Sequence, residues 1–291
     1  MSAEFVNPSS DIVFAGSGYM HQVFRQGDFV YKRVKPEFSD RNNASHFETE
    51  QYSLDLLRRS GFPTPSTCEV IPPGVFFKDD WALRESYIDG VQYRDGEMPQ
   101  ELEAKVCDSL LQMAQEIVST SNSYGRIASD ARTAFRGWKD YLFGIVDSNP
   151  YARKQCPLLT ISNAQIKKLI ERIVPDDPAP SFIAMDTNLM NYFFNRKDTI
   201  VGIIDVDRPI WGDVAYLYAD IRWNRDHWFH RSDWYEKYIA SKVEAEVALI
   251  DLYEFIIAYE EIDERYRKGK THPSIDSEFY ALERRLRKLS Y

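Results

Sequence analysis

The stretch FIAMDTNLMNYFFN, residues 182–195, places two polar side chains in a run that is otherwise mostly apolar and aromatic. Asp186 and Asn191 stand five positions apart in it, directly before the aromatic residues at 192–194. Unpaired polar groups are costly to bury. We therefore expect both side chains to serve in binding or catalysis.

The segments that follow predict a short buried hairpin. The β-rich runs YFFN, residues 192–195, and TIVGIIDV, residues 199–206, flank a polar turn. Asp205 lies near the end of the second run, so Asp186, Asn191 and Asp205 are predicted to converge at one end of the hairpin. Phosphoryl transfer needs such a cluster, because Mg²⁺ takes hard oxygen ligands and the attacking hydroxyl needs a proton acceptor. The order Asp-x4-Asn, apolar strand, Asp is that of the protein-kinase catalytic loop and metal-binding Asp.

The N-terminal third predicts a small antiparallel sheet. Residues 11–34 alternate in the manner of strands and are broken by two glycine-containing turns, which indicates three short strands. Residues 45–60 then follow a helical period. The runs VIPPGVFF, residues 70–77, and WALRESYI, residues 81–88, predict two more strands. The result is a five-stranded sheet with one helix.

Beyond Gly90 helical periodicity dominates the sequence. It predicts helices over residues 102–117, 164–173 and, as one long stretch, 232–268. The predicted fold is therefore α+β and two-lobed, with a five-stranded antiparallel N-lobe at residues 1–88 and a larger, mainly α-helical C-lobe at residues 89–291.

The N-terminal sheet offers the parts of a phosphate site. Gly16, Ser17 and Gly18 form a turn whose backbone can approach phosphates, and Lys32 lies on the third strand. Glu50 falls on the apolar stripe of the helix, where a carboxylate has little reason to face inward unless it meets a cation such as Lys32. Glu48 competes with it for this role.

Composition narrows the function classes. The formal net charge of -9 argues against a grip on nucleic-acid phosphates and is compatible with a cationic small molecule. The three cysteines form no disulfide framework or paired metal motif. Neither a secretory leader nor a membrane span is recognisable, so we expect a cytoplasmic protein without membrane partners.

The motifs around the hairpin resemble those of a known family. FIAMDTNLMNYFF followed by VGIIDVDRPIWGDVAYLYA is similar to the aminoglycoside phosphotransferase and choline kinase superfamily, small-molecule kinases with a protein-kinase-like fold. Their hallmark runs are His-Gly-Asp-x4-Asn, Ile-Asp-x-Glu/Asp and Gly-Asp-Pro-x-Tyr-Asp. The likeness extends more weakly over residues 11 to about 220 and includes SGFPTP and SYIDG, the second of which resembles the hinge between the lobes.

The resemblance implies ATP and Mg²⁺ as cofactors and assigns roles residue by residue. Asp186 would be the catalytic base, Asn191 and Asp205 the magnesium ligands, and Lys32 the contact to the α- and β-phosphates, held by Glu50. The backbone that binds adenine in such kinases corresponds here to Glu85, Ser86 and Tyr87.

Other positions match the family only in part. Asp207 corresponds to the second acid of Ile-Asp-x-Glu/Asp and would support metal or substrate, and Asp213 is expected to accept backbone amides. Ala184 stands where the family has His, and Leu217 where it has Asp. Because neither lost residue touches the transferred phosphoryl group in the family, we expect activity to survive.

The segment DIRWNRDHWFHRSDW, residues 220–234, interleaves tryptophans with acids. Its aromatic faces and carboxylates can form one side of a binding site for a cationic substrate. The alternative is that these residues provide ordinary packing between helices. The candidate substrate-facing residues are Asp220, Trp223, Asp226 and Trp228.

The predicted function is ATP-dependent transfer of a phosphoryl group to a hydroxyl of a small molecule, such as an aminoglycoside-like antibiotic, an amino alcohol or a related metabolite. The alternative is a pseudokinase-like module that binds a nucleotide or a partner. A protein kinase is less favoured, because no Ala-Pro-Glu or activation-loop segment follows Asp205. The sequence leaves open the acceptor, a resistance or biosynthetic role, ATP versus GTP, and the oligomeric state.

Overall fold

The computed structural model describes residues 5–6, 11–94, 97–121, 123–127, 135–148, 160–227, 233–267 and 273–289. The described residues fall into two compact units. The first is drawn from Met1–Arg94, Ile127–Thr133 and Leu189–Pro209, and the second from Asp95–Arg126, Ala134–Asn188 and Ile210–Tyr291. The predicted lobe boundary between residues 88 and 89 stays a prediction, although the first unit also includes later segments of the chain.

The first unit is built on the predicted five-stranded sheet. Its strands are β1 (Ile12–Ser17), β2 (His21–Gln26), β3 (Phe29–Val34), β4 (Cys68–Ile71) and β5 (Ala82–Ser86), in the order β1-β2-β3-β5-β4. All neighbouring strands are antiparallel. The predicted strand over residues 70–77 is wrong in extent, because β4 ends before Pro72 and Pro73, which have no N–H to donate to a ladder.

Helix α1 (Ala44–Arg59) connects β3 to the rest of the sheet and follows a 3₁₀ helix at Pro36–Arg41. Asn43 begins α1 by accepting a hydrogen bond from the His46 amide at 3.0 Å. Phe47, Leu54 and Leu57 are fully buried on one stripe, as the helical period predicted. This stripe fixes which side of α1 meets the sheet.

The predicted hairpin is present in the same unit. Strands β9 (Tyr192–Phe194) and β10 (Ile200–Ile203) pair with each other, and β6 (Val91–Gln92) joins β9. The turn is closed by Asn195, whose side chain accepts from the amides of Lys197 at 2.8 Å and Thr199 at 3.1 Å. A 3₁₀ helix at Leu189–Asn191 leads into β9.

The second unit is mainly helical. Strands β7 (Gly125–Arg126), β8 (Ser181–Ile183) and β11 (Ile210–Gly212) form a small sheet in the order β7-β11-β8. The helices are α2 (Gln100–Glu116), α3 (Trp138–Ser148), α4 (Asn163–Ile173), α5 (Val214–His227), α6 (Asp233–Ala240), α7 (Val247–Arg267) and α8 (Pro273–Leu289). Within the described residues, no helix is both long and apolar enough to span a bilayer.

Two predicted helices, at residues 102–117 and 164–173, are confirmed by α2 and α4. The continuous helix predicted over 232–268 is wrong, because α6 ends at Ala240 and α7 begins at Val247. Between them Val243 is buried while Ser241, Lys242 and Glu244 are exposed. A continuous apolar stripe is therefore missing at the break.

A buried hydrogen-bond chain organises the core of the second unit. The indole N–H of Trp138 donates to the Tyr253 hydroxyl at 2.7 Å, and this hydroxyl donates to Asp213 at 2.8 Å. The other Asp213 oxygen accepts from the Ala215 amide at 3.0 Å, next to the start of α5. Burial raises the pKa of Asp213, and the Ala215 and Tyr253 hydrogen bonds oppose this. Asp213 thus has the structural role expected of it.

We predict that Tyr253→Phe lowers the free energy of unfolding by about 2–4 kcal/mol, because it leaves a buried donor and a buried acceptor without partners. Tyr216→Phe is the matched control. Its ring lies 5.2 Å from that of Tyr253, and its buried hydroxyl has no hydrogen-bond partner among the described residues. We expect Tyr216→Phe to be neutral or stabilising in urea unfolding, and equal losses for the two variants would contradict the buried chain.

Candidate active site

The first unit buries a cation against two carboxylates. Lys32 on β3 is 6% exposed and Glu50 on α1 is fully buried. The Lys32 ammonium donates to both Glu50 oxygens, at 2.7 and 2.9 Å. Glu48, the competing residue, is exposed. The contact predicted from the helical stripe is therefore present, and Glu50 makes it.

The second carboxylate belongs to Asp205, which follows β10. Lys32 donates a hydrogen bond to Asp205 Oδ1. Burial alone would lower the pKa of Lys32, but Asp205 and Glu50 outweigh it and raise that pKa well above the usual value. Burial acts to raise the pKa of Asp205, yet Lys32 more than offsets it, so this pKa is lowered. Both groups are charged at neutral pH.

The backbone of Asp205 is unusual. Its φ of 61° lies in the left-handed region, which non-glycine residues seldom occupy and Asp tolerates better than most. Such conformations cost free energy and cluster at functional sites. At this position the left-handed residue turns the chain directly after the hairpin, at the point where its carboxylate meets Lys32.

Asn191 is held close to this turn by the hairpin. The Ile204 amide donates to the Asn191 carbonyl at 3.0 Å, so Asn191 is tied to the residue that precedes Asp205. Its side chain is 7% exposed, and its amide nitrogen has no hydrogen-bond partner among the described residues. The hairpin thus brings the backbone of Asn191 next to the residue before Asp205, and the convergence of the Asp186, Asn191 and Asp205 side chains stays a prediction.

These two residues fit magnesium as a partial ligand set. Among the described residues, no three His, Cys, Asp or Glu side chains form a ready cation site. Mg²⁺ does not require one, because it commonly keeps water and takes one or two protein ligands together with phosphate oxygens. Burial raises the pKa of Glu50, and the charge of Asp207 acts in the same direction, so Asp207 lies within electrostatic reach of this cluster.

A histidine pair beside Lys32 was missed at the sequence level. His21 begins β2, is 4% exposed, and places Nε2 3.0 Å from Nε2 of His46 on α1. Burial lowers the pKa of His21 to about 2 and that of His46 to about 4, and the Lys32 charge acts in the same direction. Strand alternation puts His21 on the face of Lys32, a signal that could have identified it.

The glycine turn between β1 and β2 is open on its backbone side. A Cβ at Gly16 or Gly18 would meet no atom within 4 Å. The Gly18 amide donates to the His21 carbonyl at 3.0 Å, and the Ser17 hydroxyl lies 3.4 Å from the same carbonyl. The turn is thus stabilised by its own hydrogen bonds, and the space next to Gly16 and Gly18 could accommodate a ligand.

The predicted base-binding segment ends β5. The Ser86 amide donates to the Thr67 carbonyl at 3.0 Å, and the Tyr87 amide to the Asp28 carbonyl at 2.8 Å. Neither N–H group can therefore donate to a ligand. Glu85, which precedes them, is 4% exposed.

The remaining candidate residues belong to the second unit. Asp186 follows β8 and accepts a hydrogen bond from the Asn188 amide at 3.0 Å. Asp220 and Trp223 on α5 are 2% and 1% exposed, and the Trp223 indole donates to Glu261. Such low exposure is typical of packing residues, and the substrate role of Asp220 and Trp223 stays a prediction. Asp226 lies on α5, and Trp228 lies outside the described residues.

Solved structures with the same fold are found among small-molecule kinases. The apo form of a thermostable mutant of aminoglycoside phosphotransferase APH(4)-Ia has a TM-score of 0.66 and 17% identity, over 94% of each chain. The GDP and kanamycin complex of APH(2")-IIia has a TM-score of 0.59 and 13% identity, over 100% of this chain and 95% of that one. A putative fructosamine-3-kinase from Haemophilus somnus 129PT has a TM-score of 0.63 and 14% identity, over 94% and 90%.

No protein-family model and no curated protein sequence matches the chain. The structural likeness shows that the chain has the two-lobed, α+β fold of these kinases. The fold predicted from the sequence is confirmed.

We predict that the imidazoles of His21 and His46 remain neutral in the folded protein down to about pH 5. The unfolded chain binds these protons near pH 6.5, so the free energy of unfolding falls as the pH drops below that value, by up to about 1.4 kcal/mol per pH unit for His21. His21→Gln should reduce this pH dependence in urea unfolding. A His21 side chain that titrates near pH 6.5 in NMR spectra of the folded protein would contradict the prediction.

Proposed function

We propose that this protein is a magnesium-dependent kinase that transfers the γ-phosphoryl group of a nucleoside triphosphate, with ATP the expected donor, to a hydroxyl group of a small molecule. The observation that carries the proposal is the buried Lys32 ammonium, held by Glu50 and shared with Asp205. A cation fixed in a region of low exposure is suited to a polyphosphate, since its charge is weakly screened there.

Lys32 would bind the α- and β-phosphates, and Glu50 would fix its direction through the two contacts on α1. The open turn at Gly16, Ser17 and Gly18 would cover the phosphates. When phosphate oxygens approach Lys32, they offer it new anionic partners. Asp205 then becomes available for another cation.

Magnesium would be held by Asn191 and Asp205, with Asp207 in support, and it would supply charge neutralisation to the phosphates of the nucleotide. The carboxylate of Asp205 is ionised at neutral pH because Lys32 lowers its pKa. An ionised Asp205 is the form that a divalent cation requires.

Asp186 would accept the proton of the attacking hydroxyl or orient that hydroxyl. The acceptor oxygen forms a bond to the γ-phosphorus, the bond from that phosphorus to the β,γ-bridging oxygen breaks, and the nucleoside diphosphate leaves with its electron pair. The hydroxyl proton passes to Asp186. This role rests on the Asp-x4-Asn spacing, which Asp186 shares with kinases that use the same chemistry.

The expected acceptor is small, hydroxylated and cationic. The net charge of -9 favours a cation, and two structures with the same fold are complexes with hygromycin B and kanamycin. We propose that residues 1–88 bind the nucleotide and that residues 89–291 carry the catalytic loop, the metal site and the substrate-binding helices. Cys68 is a buried free thiol, which supports the proposed cytoplasmic location.

The pseudokinase-like alternative is not favoured. It rests on Ala184 in place of the family His and on the untypical loop around Gly18. Ala184 is a buried apolar residue, and neither feature interrupts the contacts among Lys32, Glu50 and Asp205. The solved structures with the same fold are those of aminoglycoside phosphotransferases and a putative fructosamine-3-kinase, which supports transfer over binding alone.

We predict magnesium-dependent consumption of ATP when the protein is screened against hydroxylated amines, aminoglycosides, amino sugars and nucleosides. With the best acceptor, Asp186→Ala and Asp205→Ala should each lower kcat by about 10²–10⁴-fold, because one removes the proton acceptor and the other a metal ligand. Asp176→Asn is the control: its carboxylate is 87% exposed, and its activity should equal that of wild type. Wild-type rates in both active-site variants would overturn the proposed function, and nucleotide binding without turnover on any acceptor would favour the alternative.

A further inference from the structure

A buried carboxylate on the sheet has no partner in the contacts described so far. Glu85 on β5 pairs with Val30 on β3 and with Cys68 on β4. Lys32 on β3 pairs with Leu83 on β5. Because side chains alternate along a strand, Glu85 and Lys32 point to the same face of the sheet, about 7 Å apart along the strands.

The environment of Glu85 is unfavourable for an unpartnered acid. Its side chain is 4% exposed, and Oε1 accepts no hydrogen bond from any residue that the structure describes. Burial raises the pKa of Glu85 to about 7, although Lys32 opposes this. Because a buried polar atom without a partner costs free energy, a ligand that donates a hydrogen bond to this oxygen would be bound preferentially.

The neighbouring backbone restricts which ligand edge fits. The N–H groups of Ser86 and Tyr87 donate to Thr67 and Asp28 within the protein and cannot donate to a base. Glu85 adds a hydrogen-bond acceptor. An acceptor that faces the C6 substituent of a purine favours an amino group at that position over a carbonyl oxygen.

Adenine and the 6-oxo purines differ in this respect. Adenine carries an amino group at C6, which donates, whereas guanine and hypoxanthine carry an oxygen there, which accepts. If a carbonyl oxygen faced the Glu85 carboxylate, neither group could donate a hydrogen bond to the other. Two oxygen atoms that carry negative charge would then lie next to each other.

We infer that the side chain of Glu85 selects the base of the donor nucleotide, by accepting a hydrogen bond from the 6-amino group of adenine. The inference rests on the proposed function, in which the phosphates lie at Lys32 and the base lies at the end of β5. It assigns Glu85 a recognition role through its side chain, in addition to the backbone role expected from the sequence. It also answers the question of ATP versus GTP in favour of ATP.

The test compares ATP with inosine triphosphate, whose base has oxygen in place of the 6-amino group, as donors at about pH 8, above the pKa of Glu85. We expect wild type to prefer ATP by at least about 10-fold in kcat/KM. In Glu85→Gln the preference should fall by about 10-fold or more, because the amide can donate to the 6-oxo group as well as accept from the amine. Glu85→Met should lose activity with ATP without gaining it with inosine triphosphate.

Glu69→Gln is the matched control, since Glu69 lies on the neighbouring strand β4 with its side chain 52% exposed. The preference should be unchanged in this variant. An unchanged preference in Glu85→Gln, or an equal loss with both donors, would overturn the inference and leave Glu85 a structural residue.

Failure of the proposed function is distinguishable from failure of this inference. If wild type transfers phosphate from neither donor, the kinase proposal falls, and calorimetry with ADP and inosine diphosphate decides the role of Glu85. Tighter binding of ADP by wild type, and loss of that difference in Glu85→Gln, would support base selection. Equal affinities, or no binding of either diphosphate, would overturn it.

Discussion

The contact between Lys32 and Glu50 is the interaction on which the rest of the site depends. A buried ammonium is tolerated only when carboxylates surround it, and here Glu50 and Asp205 both contact it. With Glu85 on the same face, this cluster contains more acids than cations. Burial and the neighbouring acids raise the pKa values of Glu50 and Glu85, against the opposing effect of Lys32. A site of this composition favours an incoming divalent cation and hydrogen-bond donors.

Each element of the first unit has a specific part in forming the cluster. Strand β3 presents Lys32 on the inner face of the sheet, and the apolar stripe of α1 forces Glu50 toward it. The β9–β10 hairpin ties Asn191 to the residue before Asp205, and Asp205, whose φ is left-handed, contacts Lys32 through its carboxylate. The His21–His46 pair adds bulk without charge, because the lowered pKa values of both imidazoles keep them neutral.

Local patterns in the sequence predicted the elements that the cluster needs. Strand alternation, the helical stripe of α1 and the hairpin turn are short-range signals. They predicted the contact between Lys32 and Glu50 and the hairpin that begins after Asn191 and ends before Asp205. Features that depend on contacts distant in sequence were not predicted. They include the His21–His46 pair and the pairing of β7 and β8 with β11.

The two wrong boundaries have local causes that a closer reading could have found. Consecutive prolines end β4. The helix is interrupted at residues 241–246, where the buried Val243 has exposed polar neighbours on both sides. Ala184 and Leu217 depart from the family motif, but both are buried apolar residues. Their departure from the motif is therefore compatible with the packing of the fold.

A crystal structure of the protein with Mg²⁺ and a non-hydrolysable ATP analogue would test the central claim most directly. We expect the Lys32 ammonium to leave Asp205 for the α- and β-phosphate oxygens while it keeps Glu50, with Mg²⁺ bound by the side-chain oxygens of Asn191 and Asp205 and by phosphate. A nucleotide bound away from Lys32, or an ion that contacts neither Asn191 nor Asp205, would contradict it.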